Sequence, residues 1–224
     1  MPNRFVRYQL RTTDTDGAQS FYSELLGDGF WRDGIDITTL PARAAARGAP
    51  PYWLGYIGVD DVVGAELRFL NHGATQLAPG LLSDPFGARV AFTSDVDLPQ
   101  NNRVAWHLLH TRDEARSFSL YADLFGWLPV EALDLGPREG RHQTFAWDAS
   151  PAAVGSTSDT ARLPHVHPQW LFFFRTPDLA RSLATVRELG GLAFDATKTP
   201  DGDLVAPCDD PQGAAFALFQ PRAR

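Results

Sequence analysis

The 224-residue chain has one cysteine, Cys208, one methionine, Met1, and one lysine, Lys198. A single cysteine excludes an intrachain disulfide framework. A single lysine confines lysine-dependent chemistry to one position, and its scarcity beside many arginines reads as genome composition. No apolar run approaches the roughly 18–20 residues that cross a bilayer. The opening MPNRFVRYQL lacks a signal peptide's long apolar stretch. Positive charge is also short: 20 Lys and Arg stand against 27 Asp and Glu, a net charge of −7. That balance argues against a general nucleic-acid binder, which needs a basic face for phosphates. No P-loop, G-x-G-x-x-G or G-x-S-x-G occurs, so nucleotide binding and serine hydrolysis have no signal. The expectation is a cytoplasmic protein with no nucleic-acid or membrane partner.

What is present is repetition. Residues 5–27 (FVRYQLRTTDTDGAQSFYSELLG) and 104–126 (VAWHLLHTRDEARSFSLYADLFG) align without a gap, matching at Thr12/Thr111, Asp14/Asp113, Tyr22/Tyr121 and Gly27/Gly126. Residues 52–74 and 169–191 align likewise at Trp53/Trp170, Leu54/Leu171, Asp61/Asp178 and Gly73/Gly190. Both halves then reach matched turns, DPFGARVAF at 84–92 and DPQGAAFAL at 210–218. Each repeat reads as a period-2 strand running into an Asp-started, Gly-ended amphipathic helix. Four strand–helix units in two pairs follow, since a repeat buries its face against its own copy.

The pairs are unequal. The first half has room for little more than one strand or hairpin between Gly27 and Trp53, with PARAAARGAPP (41–51) as a short helical turn or loop. The second half has room for further strands at 141–147 and 203–208, and 149–164 (ASPAAVGSTSDTARLP) reads as a loop. A linker near 95–102 gives two tandem domains, 1–97, shortened, and 103–224, full-length. The expected fold class is α+β.

A strand, a helix with F-Y-x-x-L-x-G, further strands and a D-P-x-G turn into a last strand resemble the vicinal oxygen chelate superfamily. This is the glyoxalase, bleomycin-resistance and ring-cleaving dioxygenase group. The resemblance covers nearly the whole chain and implies paired β-α-β-β-β modules, with mixed sheets curled around a cavity. It does not imply a reaction, because one scaffold hosts many chemistries.

Metal-dependent members place a His on the first strand, seven residues before the helix-starting Asp, and a Glu seven residues after the Asp of D-P-x-G. The strand positions here are Arg7, Leu54, Trp106 and Leu171, and the last-strand positions are Ala91 and Ala217. None supplies a ligand for a divalent ion, so the resemblance implies the scaffold without its metal, and no cofactor is expected.

His107 and His110 point to opposite faces of a regular strand, His107 toward the helix as a core histidine and His110 toward the cavity with Trp106. The H-x-H of His165 and His167 lies between prolines and reads as loop or strand entrance rather than a metal pair. Cys208 precedes Asp209 and Asp210, which oppose a reactive thiolate. Asp60–Asp61 and Asp209–Asp210 read as caps and turns rather than acid/base dyads. The expected ligand-lining set is Trp106, Leu108, His110, Arg141, His142, Trp147, Phe173 and Arg175, an apolar cavity with few polar anchors.

Three functions remain open at this point. The first is a metal-independent protein binding a small apolar or aromatic molecule in the C-terminal domain. The second is a lyase or dioxygenase of the same superfamily, its metal site rebuilt from His107, His110 or His142. The third is a structural or partner-binding protein with filled cavities. A monomer with pseudo-dimeric domains and a homodimer are both compatible with the repeat.

Overall fold

A computed structural model describes residues 3–96, 102–150 and 152–222. In the first half β1 (Phe5–Thr12), α1 (Thr15–Leu26), β2 (Ile35–Thr39), α2 (Ala42–Ala45), β3 (Tyr52–Gly58), α3 (Val62–Asn71), β4 (Thr75–Ala78), β5 (Leu81–Ser83) and β6 (Arg89–Thr93) follow in order. The second half has β7 (Val104–His110), α4 (Glu114–Phe125), β8 (Leu128–Asp134), α5 (Gly136–Glu139), β9 (Arg141–Ala146) and β10 (Gly155–Ser158). It closes with β11 (Gln169–Arg175), α6 (Leu179–Glu188), β12 (Leu192–Ala193), β13 (Thr197–Lys198), β14 (Leu204–Asp209) and β15 (Ala215–Gln220). Among the described residues, no helix is long and apolar enough to cross a membrane.

The repeated aspartates cap the four long helices. Each carboxylate of Asp14, Asp61, Asp113 and Asp178 accepts an otherwise orphaned first-turn N–H, from Gly17, Gly64, Arg116 and Arg181. After α4 the chain turns through Gly126 at φ 72°, a left-handed conformation that favours glycine.

The strands form two mixed sheets, which with the helices make an α+β fold. β1–β6 make one of six strands, and β7–β15 make one of nine. The expected linker falls mostly on residues 97–101, outside the described ones. Compactness divides the chain differently. One unit takes the described residues of 1–7, 55–98 and 106–170, and the other takes those of 8–54, 99–105 and 171–224. The first unit therefore holds most of the second and third repeats, and the second unit holds most of the first and fourth.

One expectation is overturned inside 149–164. Rather than a loop throughout, the segment contains β10, which pairs in parallel with β7 and antiparallel with β9. All four of its residues, Gly155, Ser156, Thr157 and Ser158, are buried. Small polar residues read as loop because they lack apolar alternation, yet here the two flanking strands satisfy their backbone. Gly155 is required by close approach: a Cβ there would overlap the His107 carbonyl oxygen and the Phe145 ring.

Each unit is built around a buried hydrogen-bonded chain of three matched residues. In the second unit the Trp53 indole donates to the Tyr22 hydroxyl at 3.0 Å, and that hydroxyl donates to Asp210 Oδ2 at 3.3 Å. Asp210 Oδ1 accepts the backbone N–H groups of Gln212 and Ala214. In the first unit Trp170 donates to Tyr121 at 3.2 Å and Tyr121 to Asp84 Oδ2 at 3.1 Å. Asp84 Oδ1 accepts from Phe86 and Ala88. Rings surround both hydroxyls: Phe30, Phe174 and Phe216 lie near Tyr22, and Trp127, Phe125 and Phe69 near Tyr121. Burial first, then the neighbouring aspartate, raises both phenols well above their ordinary range.

Gly155→Ala should cost roughly 1–3 kcal/mol, because a methyl group has to push β7 and β9 apart. Urea unfolding reads the effect, and an unchanged midpoint would contradict the close packing of β10.

Candidate functional site

In the first unit, strand register brings part of the expected set onto one face. β10 pairs Ser156 with Leu108 and Ser158 with His110 on one side. On its other side it pairs Ser156 with Thr144 and Ser158 with His142. Paired residues share a face, so Trp106, Leu108 and His110 of β7, Ser156 and Ser158 of β10, and His142 and Thr144 of β9 line one surface.

Hydrogen bonds hold this surface. The Trp106 indole donates to Ser156 Oγ at 3.3 Å, and His142 Nδ1 lies 3.1 Å from the same hydroxyl. His110 Nδ1 lies 2.6 Å from Thr160 Oγ1. Burial, and secondarily the adjacent His142, lower His110 to about 4. His110 is therefore neutral at pH 7, able to donate one hydrogen bond and accept another. Ser156 is itself only 1% exposed, so it orients its neighbours and is not placed as a nucleophile. Ser156 and Thr160 are functional candidates that sequence reasoning missed, because both lie in the segment read as loop.

His107 occupies the opposite face, as expected from its spacing to His110. Its ring stacks on Phe5 with centroids 5.3 Å apart and meets Trp147 edge-on. Its Nδ1 is 2.8 Å from the Val154 carbonyl, which only accepts, so Nδ1 bears the proton. Burial lowers this ring to about 4.

Two expected lining residues are not part of the surface. Trp147 packs with Phe5, His107 and Trp127. Arg141 is exposed, and its charge bears on Glu114 of α4. In a strand of period 2, Arg141, Phe145 and Trp147 share one parity while His142 and Thr144 share the other. Arg141 and Trp147 thus cannot line the surface that His142 lines.

Phe173 and Arg175 belong to the second unit. They lie on one face of β11 and pair with Ala217 and Phe219 of β15. The Arg175 guanidinium sits 5.4 Å from the Phe219 ring centre. Cys208 is buried in β14, and burial, then Asp209, pushes its thiol up to about 12. His165 and His167 are exposed, His165 with φ 69°. Asp61 serves as a helix cap and Asp210 as the acceptor for Tyr22.

A metal held as in the metal-dependent members of that superfamily does not fit the residues at the corresponding positions. Leu54, Leu171, Ala91 and Ala217 are buried apolar side chains. Arg7 lies over the Tyr56 ring at 4.9 Å, and Trp106 donates to Ser156. Among the described residues, no group of three or more His, Cys, Asp or Glu is gathered for a metal.

No family model matches the chain. Two mycobacterial proteins that carry a provisional glyoxylase name, CFP32, from Mycobacterium bovis and Mycobacterium tuberculosis, are 24% identical to it. The alignment covers 95% of this chain and 92% of theirs. Among solved structures, the 2,3-dioxygenase LapB from Pseudomonas sp. KL28 is similar at TM-score 0.64 and 13% identity, covering 98% of this chain and 92% of that one. The Mn(II)-bound glyoxalase from Novosphingobium aromaticivorans is similar at TM-score 0.63 and 11% identity, covering 97% and 82%. The 2,2',3-trihydroxybiphenyl 1,2-dioxygenase from Sphingomonas wittichii strain RW1 is similar at 0.65 and 11%, covering 99% and 91%. The chain has the fold of the vicinal oxygen chelate superfamily, the group of glyoxalases and ring-cleaving dioxygenases.

Both depressed imidazoles should remain neutral through the range where an ordinary histidine titrates. In a ring-resonance NMR titration, His107 and His110 are expected to half-protonate near pH 4. The linked stability is present above about pH 6.5 and is lost as pH falls toward 4. Midpoints near 6.5 would contradict their burial.

Proposed function

We propose that this chain is a metal-independent, glyoxalase-like and bleomycin-resistance-like binding protein for a small, largely aromatic molecule. The surface of β7, β9 and β10 is the proposed docking face. The observation that supports this reading is the pairing of an indole with two hydroxyl-oriented imidazoles. Trp106 offers a flat ring for stacking, and His110 and His142 offer hydrogen bonds to a phenol or carbonyl oxygen. Burying roughly 150 Å² of a ring contributes about 4 kcal/mol before association costs. The polar anchors then decide orientation, each adding about 0.5–1.5 kcal/mol. No covalent step is needed for sequestration.

One observation favours a second reading. His110 and His142 are close enough for the charge of one to lower the other, and each has Nδ1 tied to a hydroxyl. Metal-binding histidines are oriented through the nitrogen opposite the metal in the same way. The second reading is thus a lyase or dioxygenase with a rebuilt site.

Untagged protein purified without chelator separates the two when its metal content is measured beside 2-naphthol binding by calorimetry. The binding reading predicts less than about 0.1 divalent ion per chain. It also predicts at least a fivefold weakening of 2-naphthol by His110→Ala and His142→Ala, a loss of about 1 kcal/mol. About one tightly held ion per chain, lost on His110→Ala, would sink it.

A further inference from the structure

The second unit contains a cavity of about 430 Å³ whose lining includes Asp33, Asn102, Arg103 and Arg175 beside Phe30 and Phe174. It shares no residue with the His110–His142 surface and has no role in the proposal above. We propose that this cavity binds an aliphatic hydroxy acid, a monocarboxylate bearing several hydroxyl groups. The carboxylate lies on Arg175 and the hydroxyls on Asn102 and Asp33.

Burial decides which side chains a ligand can reach. Phe30 and Phe174 are 1% and 0% exposed, and they pack edge to face on each other and around Tyr22. Their faces are spent on the core, so the cavity offers no ring to stack on. Asp33, Asn102 and Arg175 are exposed, and Arg103 is half-buried. Leu26, also half-buried, is the one aliphatic residue of the lining. A ligand therefore meets four hydrogen-bonding side chains and little apolar surface. Such walls suit a molecule with polar groups along its length, since an apolar one would strip them of water without replacing it.

Charge narrows the class. Two arginines and one aspartate line the cavity, a local balance of +1 in a chain whose net charge is −7. One carboxylate neutralises that balance. A dianion would set its second charge beside Asp33, and a zwitterion would leave the +1 uncompensated. The Asp33 carboxylate only accepts hydrogen bonds, so it takes hydroxyl donors and repels a second acid group.

Two side chains are poised to make the contacts. Among the described residues the Arg175 guanidinium has no hydrogen-bond or ion-pair partner, only the stacking on Phe219 at 5.4 Å. Stacking uses the face of the guanidinium and leaves its in-plane N–H fork to grip a carboxylate through two parallel bonds. The Asn102 amide likewise makes no hydrogen bond among the described residues, and it can both donate to and accept from a hydroxyl. The frame around them is ordered. The Arg175 backbone N–H donates to the Arg103 carbonyl at 2.8 Å, which fixes the strand end beside residues 102–103. In the loop that brings Asp33 in, Phe30 N–H bonds to Gly27, Arg32 N–H to Phe30 and Ile35 N–H to Arg32, and Asp33 adopts φ 53°. An aspartate tolerates that left-handed conformation better than most residues. The volume lies within the range of small-molecule sites.

Calorimetric titration with D-gluconate tests the assignment, with sorbitol and acetate as controls that carry only the hydroxyls or only the carboxylate. Saturable one-to-one binding of gluconate is expected, weakening as salt rises, with each control at least tenfold weaker. Arg175→Gln should weaken gluconate at least tenfold, and Asn102→Ala at least threefold. Arg175→Lys keeps the charge and should retain more affinity than the glutamine variant. Both Arg175 and Asn102 are exposed, so their replacement should leave the urea midpoint in place, and a matched midpoint shows that the fold is intact. Absence of saturable gluconate binding would overturn the proposal. So would acetate binding as tightly as gluconate, which would reduce the cavity to an unselective anion site. Equal affinity in Arg175→Gln would also overturn it, as would loss of gluconate binding on His142→Ala, which would move the acid to the other surface.

Discussion

A phenol hydroxyl in an aromatic interior has to find partners, and that requirement organises this structure twice. Tyr22 and Tyr121 each stand among stacked rings, where an unsatisfied hydroxyl would cost several kcal/mol. Each is satisfied by an indole donor and a carboxylate acceptor, and the carboxylate in turn closes the D-P-x-G turn. Tyr22 and Asp210 are separated by 188 positions in the chain. The bond between them ties the first repeat to the fourth, and that between Tyr121 and Asp84 ties the third to the second. Burial raises both carboxyls, Asp84 and Asp210. Their share of stability is therefore greatest at low pH and declines as pH climbs from about 4, opposite in sign to that of His107 and His110.

These chains of bonds also account for what repeats. Tyr22/Tyr121, Trp53/Trp170 and the aspartates of the two D-P-x-G turns are among the matched positions of the duplicated sequence. The matches thus record packing and polar satisfaction. The departures from the match are where side-chain partners differ. Arg7 and Trp106 stand at one aligned position, and Trp106 alone meets a serine and, through it, a histidine. A scaffold kept by its core leaves such a position open to change, which is how one fold accommodates many sites.

The helices, their capping aspartates, the strand entries and the two-sheet α+β fold were legible in the sequence because each rests on a local signal. Period-2 and period-3.6 patterns, Asp at the start and Gly at the end are read within a dozen residues. The Trp–Tyr–Asp chains were visible only as matched letters, since their partners meet through tertiary contact. β10 was illegible because Gly-Ser-Thr-Ser has no apolar alternation, and with it Ser156 and Thr160 were missed. Strand pairing sets Trp106, Leu108, His110 and His142 on one face, and parity along β9 sets Trp147 and Arg141 on the other, a division that depends on register rather than on local pattern. The cavity beside Arg175 had no sequence signal, because its walls come from a helix end, a loop, residues 102–103 and a strand end.

A double-mutant cycle across Trp170 and Tyr121 most directly tests whether these buried bonds hold the fold. Urea unfolding of Trp170→Phe, Tyr121→Phe and the double variant yields the coupling between indole and hydroxyl. A coupling of about 1–2 kcal/mol is predicted for residues in one buried network. Additivity to within about 0.3 kcal/mol would contradict the account.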